Sequence, residues 1–299
     1  MSPRRHRRFA HALLFITPAL WAVNYVVGRI AADSVAPHAL ALGRWLLAAG
    51  LMGAVAWREL VDKRAAIAGE WRQLVVFGLL GMWICGAFVY IGARTTTAGN
   101  IGLIFALSPV LIALFSALWL KERFGRLQAA GLALALAGVV HVVAKGDWRA
   151  LAALQFTPGD LWILVAAIAW TAYAVLLKAW RSAFGPAARL ALTCVAGVTI
   201  LLPFAVVEAL WFAPTRVTWS SFGYMVVLAL FPGFGAYLAY SYMQRELGAA
   251  RGGMMLYLVP IYSVVMGHLV LGEPVHGFHF LAAALILPGI FLATRPSRA

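Results

Sequence analysis

Between Ala98 and Leu136 the chain reads AGNIGLIFALSPVLIALFSALWLKERFGRLQAAGLALAL, two apolar runs joined by a charged corner. Each run is about as long as the ~20 residues a helix needs to cross the hydrocarbon of a bilayer. The text returns 151 positions later, where Ala249, Gly253, Leu258, Pro260, Leu271, Glu273 and Leu285 fall on Ala98, Gly102, Leu107, Pro109, Leu120, Glu122 and Leu134. The chain is therefore a duplicated membrane-spanning unit. Pro109 and Pro260, mid-run in each copy, remove a donor from the helix ladder, which lipid-facing backbone tolerates only against another helix or a watered cavity.

Composition agrees with this reading. Of 299 residues 64% are apolar and 11% charged, which leaves too little polar surface for a globular exterior, so lipid must supply it. The net charge of +14 sits in short gaps between apolar runs rather than on one face, so no nucleic-acid partner is expected. Cys85 and Cys194 lie inside apolar runs with no metal or disulfide framework around them. His276 and His279 open a helix without further ligands; no metal and no cofactor is expected. The N-terminus has the charge-then-apolar layout of a signal peptide, but its apolar run continues through Val27 and reads as an uncleaved first span.

Ten spans are expected, at 10–31, 38–57, 73–93, 98–119, 124–143, 160–180, 188–210, 219–242, 250–271 and 277–294, with longer connections at 58–72 and 144–159. With the N-terminus in the cytoplasm, 18 of the 24 Lys and Arg residues fall in cytoplasmic loops, so the positive-inside rule predicts both termini there. Trp57, Trp71, Trp119, Trp148, Trp180, Trp211 and Trp219 near span ends suit an aromatic belt. Five spans per copy is an odd number, so the second copy enters from the opposite side. Glu122 is then expected at the cytoplasmic surface and Glu273 at the outer one. The predicted fold is all-α integral membrane, ten transmembrane helices in two inverted five-helix repeats, 1–147 and 148–299, multi-pass in the cell inner membrane. Inverted repeats that meet at a midplane site are typical of transporters, because similar halves can exchange conformations.

The pattern YIGARTTTAG, then SPV, then LKER, followed by a glycine-spaced fifth span, resembles the EamA-type repeat of the drug/metabolite transporter superfamily, whose members are ten-span proteins with two such repeats. The second copy has LGEP where the first has LKER. Arg44, near the start of the second span, also fits that family. The overall likeness is to bacterial aromatic amino acid exporters, and it implies a transporter rather than an enzyme.

Trp21 and Asn24 lie near the middle of the first span, and LWAVNYVVGR resembles AWTAYAVLLK around their counterparts Trp170 and Tyr173. An indole or amide facing lipid gains little over Leu, so these residues are expected to face inward, either lining a route or packing helices together. Tyr237, Tyr240, Ser241 and Gln244 are spaced three, four and seven apart and share one helix face. With Tyr90 in the third span they read as cavity wall or as an interhelical seam. Tyr257, three residues before Pro260, is expected at the same cavity, and Pro109 and Pro260 are expected to act as hinges. Arg44 and Glu208 sit near outer span ends and are expected to snorkel or pair with each other. The middle of every span lacks an acidic residue, which predicts weak coupling to protons or sodium.

The implied activity is export of aromatic and other large neutral amino acids, or related metabolites, by alternating access, from a monomer or homodimer in the lipid bilayer. Broad drug or nucleotide-sugar transport is the alternative. An integral-membrane enzyme would need an acid/base or metal cluster that the sequence does not offer.

Overall fold

The computed structural model describes residues 3–31, 34–92, 94–96, 98–122, 125–149, 157–212, 218–272 and 274–294. They form ten helices: α1 (Pro3–Ala31), α2 (Pro37–Asp62), α3 (Arg64–Gly92), α4 (Ala98–Leu118), α5 (Arg126–Val143), α6 (Pro158–Ala179), α7 (Pro186–Phe212), α8 (Trp219–Leu247), α9 (Ala249–Val270) and α10 (Gly277–Thr294). Nine are long and apolar enough over their described residues to cross a membrane, and α4 is apolar over Ile104–Leu118. Proline in the first turn starts α2, α6 and α7, where its missing N–H is no loss. Gly248 and Gly272, at φ +91° and +68°, end α8 and α9 in a conformation that favours glycine.

The connection expected at 58–72 is not a loop. Helix runs to Asp62, turns at Lys63 and resumes at Arg64, because Glu59 accepts from Lys63 at 2.7 Å and from Gly185 N at 2.8 Å, fixing the corner. The polar ends of α2 and α3 extend the helices past the apolar spans.

Helix pairing carries the inverted duplication. α5 packs on α10 and α2 on α7, each helix against its own counterpart. α4 likewise packs on α9, and further extensive pairings come in couples: α4 on α6 and α1 on α9, α3 on α7 and α8 on α2, α3 on α6 and α8 on α1. Exchanging the halves leaves the set unchanged, as a pseudo-two-fold axis requires, and five helices per half make that axis an inverting one.

One face of the bundle gathers the corners near Lys63, Glu122, Ser182 and Gly248. Lys63 donates to Ala183 O, Glu70 accepts from Ser182, and Lys178 donates to the carbonyls of Gln244 and Arg245. Glu122 accepts from the N–H groups of Ala249 and Ala250 at the start of α9, a favourable place for a carboxylate. With Lys63, Lys178, Arg181 and Arg245 exposed on it, this is the basic face of the bundle. Its echo Glu273 lies outside the described residues. At the opposite face Glu208 accepts from His38 Nδ1 at 3.0 Å and from the N–H groups of His38 and Ala39.

Two features place the interior. A π-helical stretch runs over Gly78–Phe88 in α3 and another over Ala229–Ala236 in α8; their first residues are 151 positions apart, so the duplication extends to the wide turns. Such turns are rare and shift which residues face inward. Glycines in the first stretch permit close approach: a Cβ on Gly81 would stand 2.8 Å from the Tyr173 ring, and one on Gly86 2.8 Å from Trp45 Nε1.

Candidate functional site

Residues from five helices meet in the middle of the bundle as a cage of rings. Trp21 of α1 meets Trp170 of α6 edge-on, with centroids 5.2 Å apart, and also contacts Tyr237 and Tyr240 of α8 at 5.8 and 5.4 Å. Trp170 stacks on Tyr173 at 5.5 Å and reaches Tyr240 at 5.1 Å and Tyr237 at 5.7 Å. Trp45 of α2 joins through Tyr237 at 5.0 Å, and Phe77 of α3 joins through Tyr173 at 5.3 Å. Trp21 and Trp170 are 8% and 5% exposed, so the rings lie inside protein and not against lipid. Each aromatic pair contributes roughly 0.5–1.5 kcal/mol beyond area burial.

The polar atoms of the cage are only partly matched. Tyr237 donates to Gly81 O at 3.2 Å, in the π-helical stretch of α3, and Gln244 Nε2 donates to the Tyr240 hydroxyl at 2.6 Å. Trp45 Nε1, Trp170 Nε1 and Gln244 Oε1 are buried without a partner in the protein. A buried polar atom left unmatched costs about 1–3 kcal/mol. The rings pack directly on one another, and of the cage members Tyr173 and Gln244 border a cavity.

Its surroundings differ on the two sides. Toward the basic face lies a cavity of about 380 Å³ whose lining includes buried Tyr173, Arg189, Thr193 and Gln244, with Ser241 and the exposed Lys178, Arg181 and Arg245. Among the described residues no Asp or Glu lines it. Toward the opposite face, Ala31, Val35, Leu40, Met225 and Leu228 form a buried apolar plug with Tyr90 packed on it.

Of the residues expected from sequence, Trp21, Trp170, Tyr173, Tyr237 and Tyr240 are brought together. Asn24 and Tyr90 form a separate polar group beside the cage: Tyr90 donates to Asn24 Oδ1 at 2.7 Å, and Arg44 Nη1 donates to the same oxygen at 2.9 Å and to the Tyr90 hydroxyl at 3.4 Å. Arg44 thus neither snorkels nor pairs with Glu208, which is taken up by α2 at the opposite face. Arg44 is 4% exposed, and its guanidinium lies 4.3 Å from the Trp45 ring centroid.

Tyr257 stands apart. It belongs to a second cluster made by α4, α5, α9 and α10, and donates to Ala106 O at 3.1 Å. Of the two prolines expected as hinges, Pro109 lies within continuous helix and Pro260 follows a tightened 3₁₀ segment, Met254–Leu258.

Trp45, Phe77 and Arg189 are neighbours that sequence reasoning missed, and Arg44 it placed at an outer span end. Trp45 and Phe77 are apolar residues in apolar runs, with nothing to separate them from lipid-facing ones. The usable signal was Arg44 on one helix face with Leu40, Ala41 and Ala48, a row of buried residues.

The match to known proteins follows the duplicated architecture. The model of the EamA-like transporter family fits residues 8–144 and again 157–295. The chain belongs to the EamA-like transporter family. Among its EamA relatives, an uncharacterized transporter of Archaeoglobus fulgidus is 27% identical over 286 residues, 95% of this chain and 96% of its own. A probable terminal-alkyne amino-acid exporter of Streptantibioticus cattleyicolor is 27% identical, covering 94% and 92%, and the uncharacterized inner membrane transporter YedA of Escherichia coli is 27% identical, covering 94% and 89%. A crystal structure at 22% identity superposes with a TM-score of 0.76 over 95% of this chain and 96% of that one. The EamA protein described here is thus a multi-pass membrane transporter with the fold of that family.

Proposed function

We propose that the protein exports neutral amino acids with large, above all aromatic, side chains by alternating access. The observation that supports this most directly is the ring cage around Trp170, contributed by both halves, reached from the basic face by a cavity and plugged toward the other. Stacking surface with a few unmatched polar atoms suits a zwitterion with a ring better than a sugar or a polyanion. The amino-acid exporter among the relatives points the same way. In this reading the basic face is cytoplasmic, as the positive-inside rule requires, both termini lie there, and the halves divide at Asp147 and Trp148. Transport runs without strong coupling to protons or sodium, because no carboxylate stands among the described residues of the cage.

The test is a flux competition in liposomes with Phe, Trp, Tyr, Met, Thr, Lys and Glu, in the parent and in Trp170→Ala and Tyr240→Ala. Phe and Trp should compete several-fold better than Thr, since one lost ring contact is worth about 1 kcal/mol, and both variants should flatten that preference. Preference for Lys or Glu, or unchanged selectivity in both variants, would overturn the reading. Uphill accumulation driven by an imposed pH or sodium gradient would overturn the uncoupled mechanism.

A further inference from the structure

Among the described residues two buried arginines, Arg44 and Arg189, form no ion pair. Arg44 and Arg189 lie on counterpart helices, α2 and α7, and are 4% and 9% exposed. Each rests over an aromatic ring, Arg44 at 4.3 Å from Trp45 and Arg189 at 4.7 Å from Phe77. The Nε of each is buried without a partner. The bonds they do make go to neutral oxygens: Asn24 and Tyr90 for Arg44, Gln73 and the Leu177 carbonyl for Arg189. Glu70, whose field reaches Arg189, accepts instead from Ser182 and Ala183 N.

A guanidinium keeps its charge at any working pH. Held inside protein without an anion it is strongly unfavourable, and the arrangement becomes stable when a carboxylate arrives with matching fork geometry. The rings connect the two: Arg44 over Trp45, Trp45 against Tyr237, Tyr237 against Tyr173 at 5.9 Å, Tyr173 against Phe77, Phe77 under Arg189. Arg189 lines the open cavity, while Arg44 holds Tyr90, which packs against the plug.

We infer that Arg189 and Arg44 are two carboxylate stations, one for each mouth, and that the substrate's carboxylate passes from Arg189 to Arg44 while its side chain remains among the rings. This rests on the amino-acid reading above and adds to it which end of the substrate is read, and by what.

The experiment uses the full chain in liposomes of known orientation, with initial rates for L-phenylalanine and for L-phenylalaninol, which lacks the carboxylate. Arg189→Gln should raise KM for phenylalanine offered at the basic face by about tenfold or more and leave the opposite face nearly unchanged; Arg44→Gln should do the reverse. Both should lose preference for phenylalanine over phenylalaninol, and Arg44→Lys and Arg189→Lys should restore part of it. Should Arg44→Gln not fold, Arg44→Lys and inhibition by 3-phenylpropionate decide the matter. Unchanged discrimination in both Gln variants, or equal losses at both faces, would overturn the inference. If the parent moves no amino acid, the functional reading fails by itself. Quenching of tryptophan fluorescence by 3-phenylpropionate but not by phenethylamine, lost in both Gln variants, would then still support the two stations; equal quenching by both ligands would overturn them.

Discussion

The two mouths of this transporter are built from counterpart positions, yet one is plugged and the other open. Counting from Pro37 and Pro186, the first-turn prolines of α2 and α7, Leu40 corresponds to Arg189; at the repeat spacing of 151, Leu228 corresponds to Phe77. At the plugged mouth Leu40 and Leu228 are buried in one apolar cluster. At the open mouth the same two places hold a guanidinium over a ring. Apolar pairs close by excluding water, whereas a charge resists full burial. At these counterpart positions one exchanged pair separates the plugged mouth from the open one.

Labelling should expose the largest difference. In a background with Cys85 and Cys194 replaced, a cysteine at Ser241 should react with a charged thiol reagent on the order of 1000-fold faster than one at Leu228, if the plug is closed by about 4 kcal/mol. Equal rates would dissolve the comparison.

Leu40→Arg copies the open mouth onto the closed one. A charge forced into an apolar cluster is disfavoured by several kcal/mol, so a cysteine at Val35 should gain about 100-fold in labelling rate from the face opposite the basic one. A labelling pattern like the parent's in folded protein would count against the exchanged pair.

The converse change, Arg189→Leu, should act more weakly, by about 1–2 kcal/mol, because the new Leu gains only partial burial. The cavity cysteine at Ser241 should then label about tenfold more slowly, and an increase would contradict the argument.

The smallest effect separates the prolines. Pro260→Ala removes the constraint beside the 3₁₀ segment of α9, while Pro109→Ala acts in continuous helix. Initial flux should fall a few-fold in the first, about 1 kcal/mol, and hardly at all in the second. The opposite order would assign the flexible element to α4.

Much of this was readable from sequence, for identifiable reasons. Membrane helices are recognised by length and apolarity, and the repeat at 151 positions fixed their number and inversion. Tyr237, Tyr240 and Gln244 were found because their spacing is helical. Trp45 and Phe77 were not, since inside a membrane protein the interior is no more apolar than the exterior, and periodicity loses its contrast. Tyr90 falls outside the ring cage, held instead by Asn24 and Arg44. Arg44 was assigned to an outer end because a charge in a span is ordinarily near water; its hydrogen bonds to Asn24 and Tyr90 are tertiary and leave no local trace.

The contact between α5 and α10 has a consequence for how the protein can change. A Cβ on Gly131 would stand 2.5 Å from Ala293 N and from Gly289 O, and one on Gly289 2.6 Å from Ala135 N. Backbone there meets backbone, so even the smallest added side chain forces the helices apart. The ring cage lies on other helices, and its walls are side chains. Under the proposed function, variation in substrate range is therefore open to drift and to directed selection at the rings, while Gly131 and Gly289 in the α5–α10 seam should reject larger side chains. Libraries aimed at new substrates can leave that seam untouched without giving up diversity.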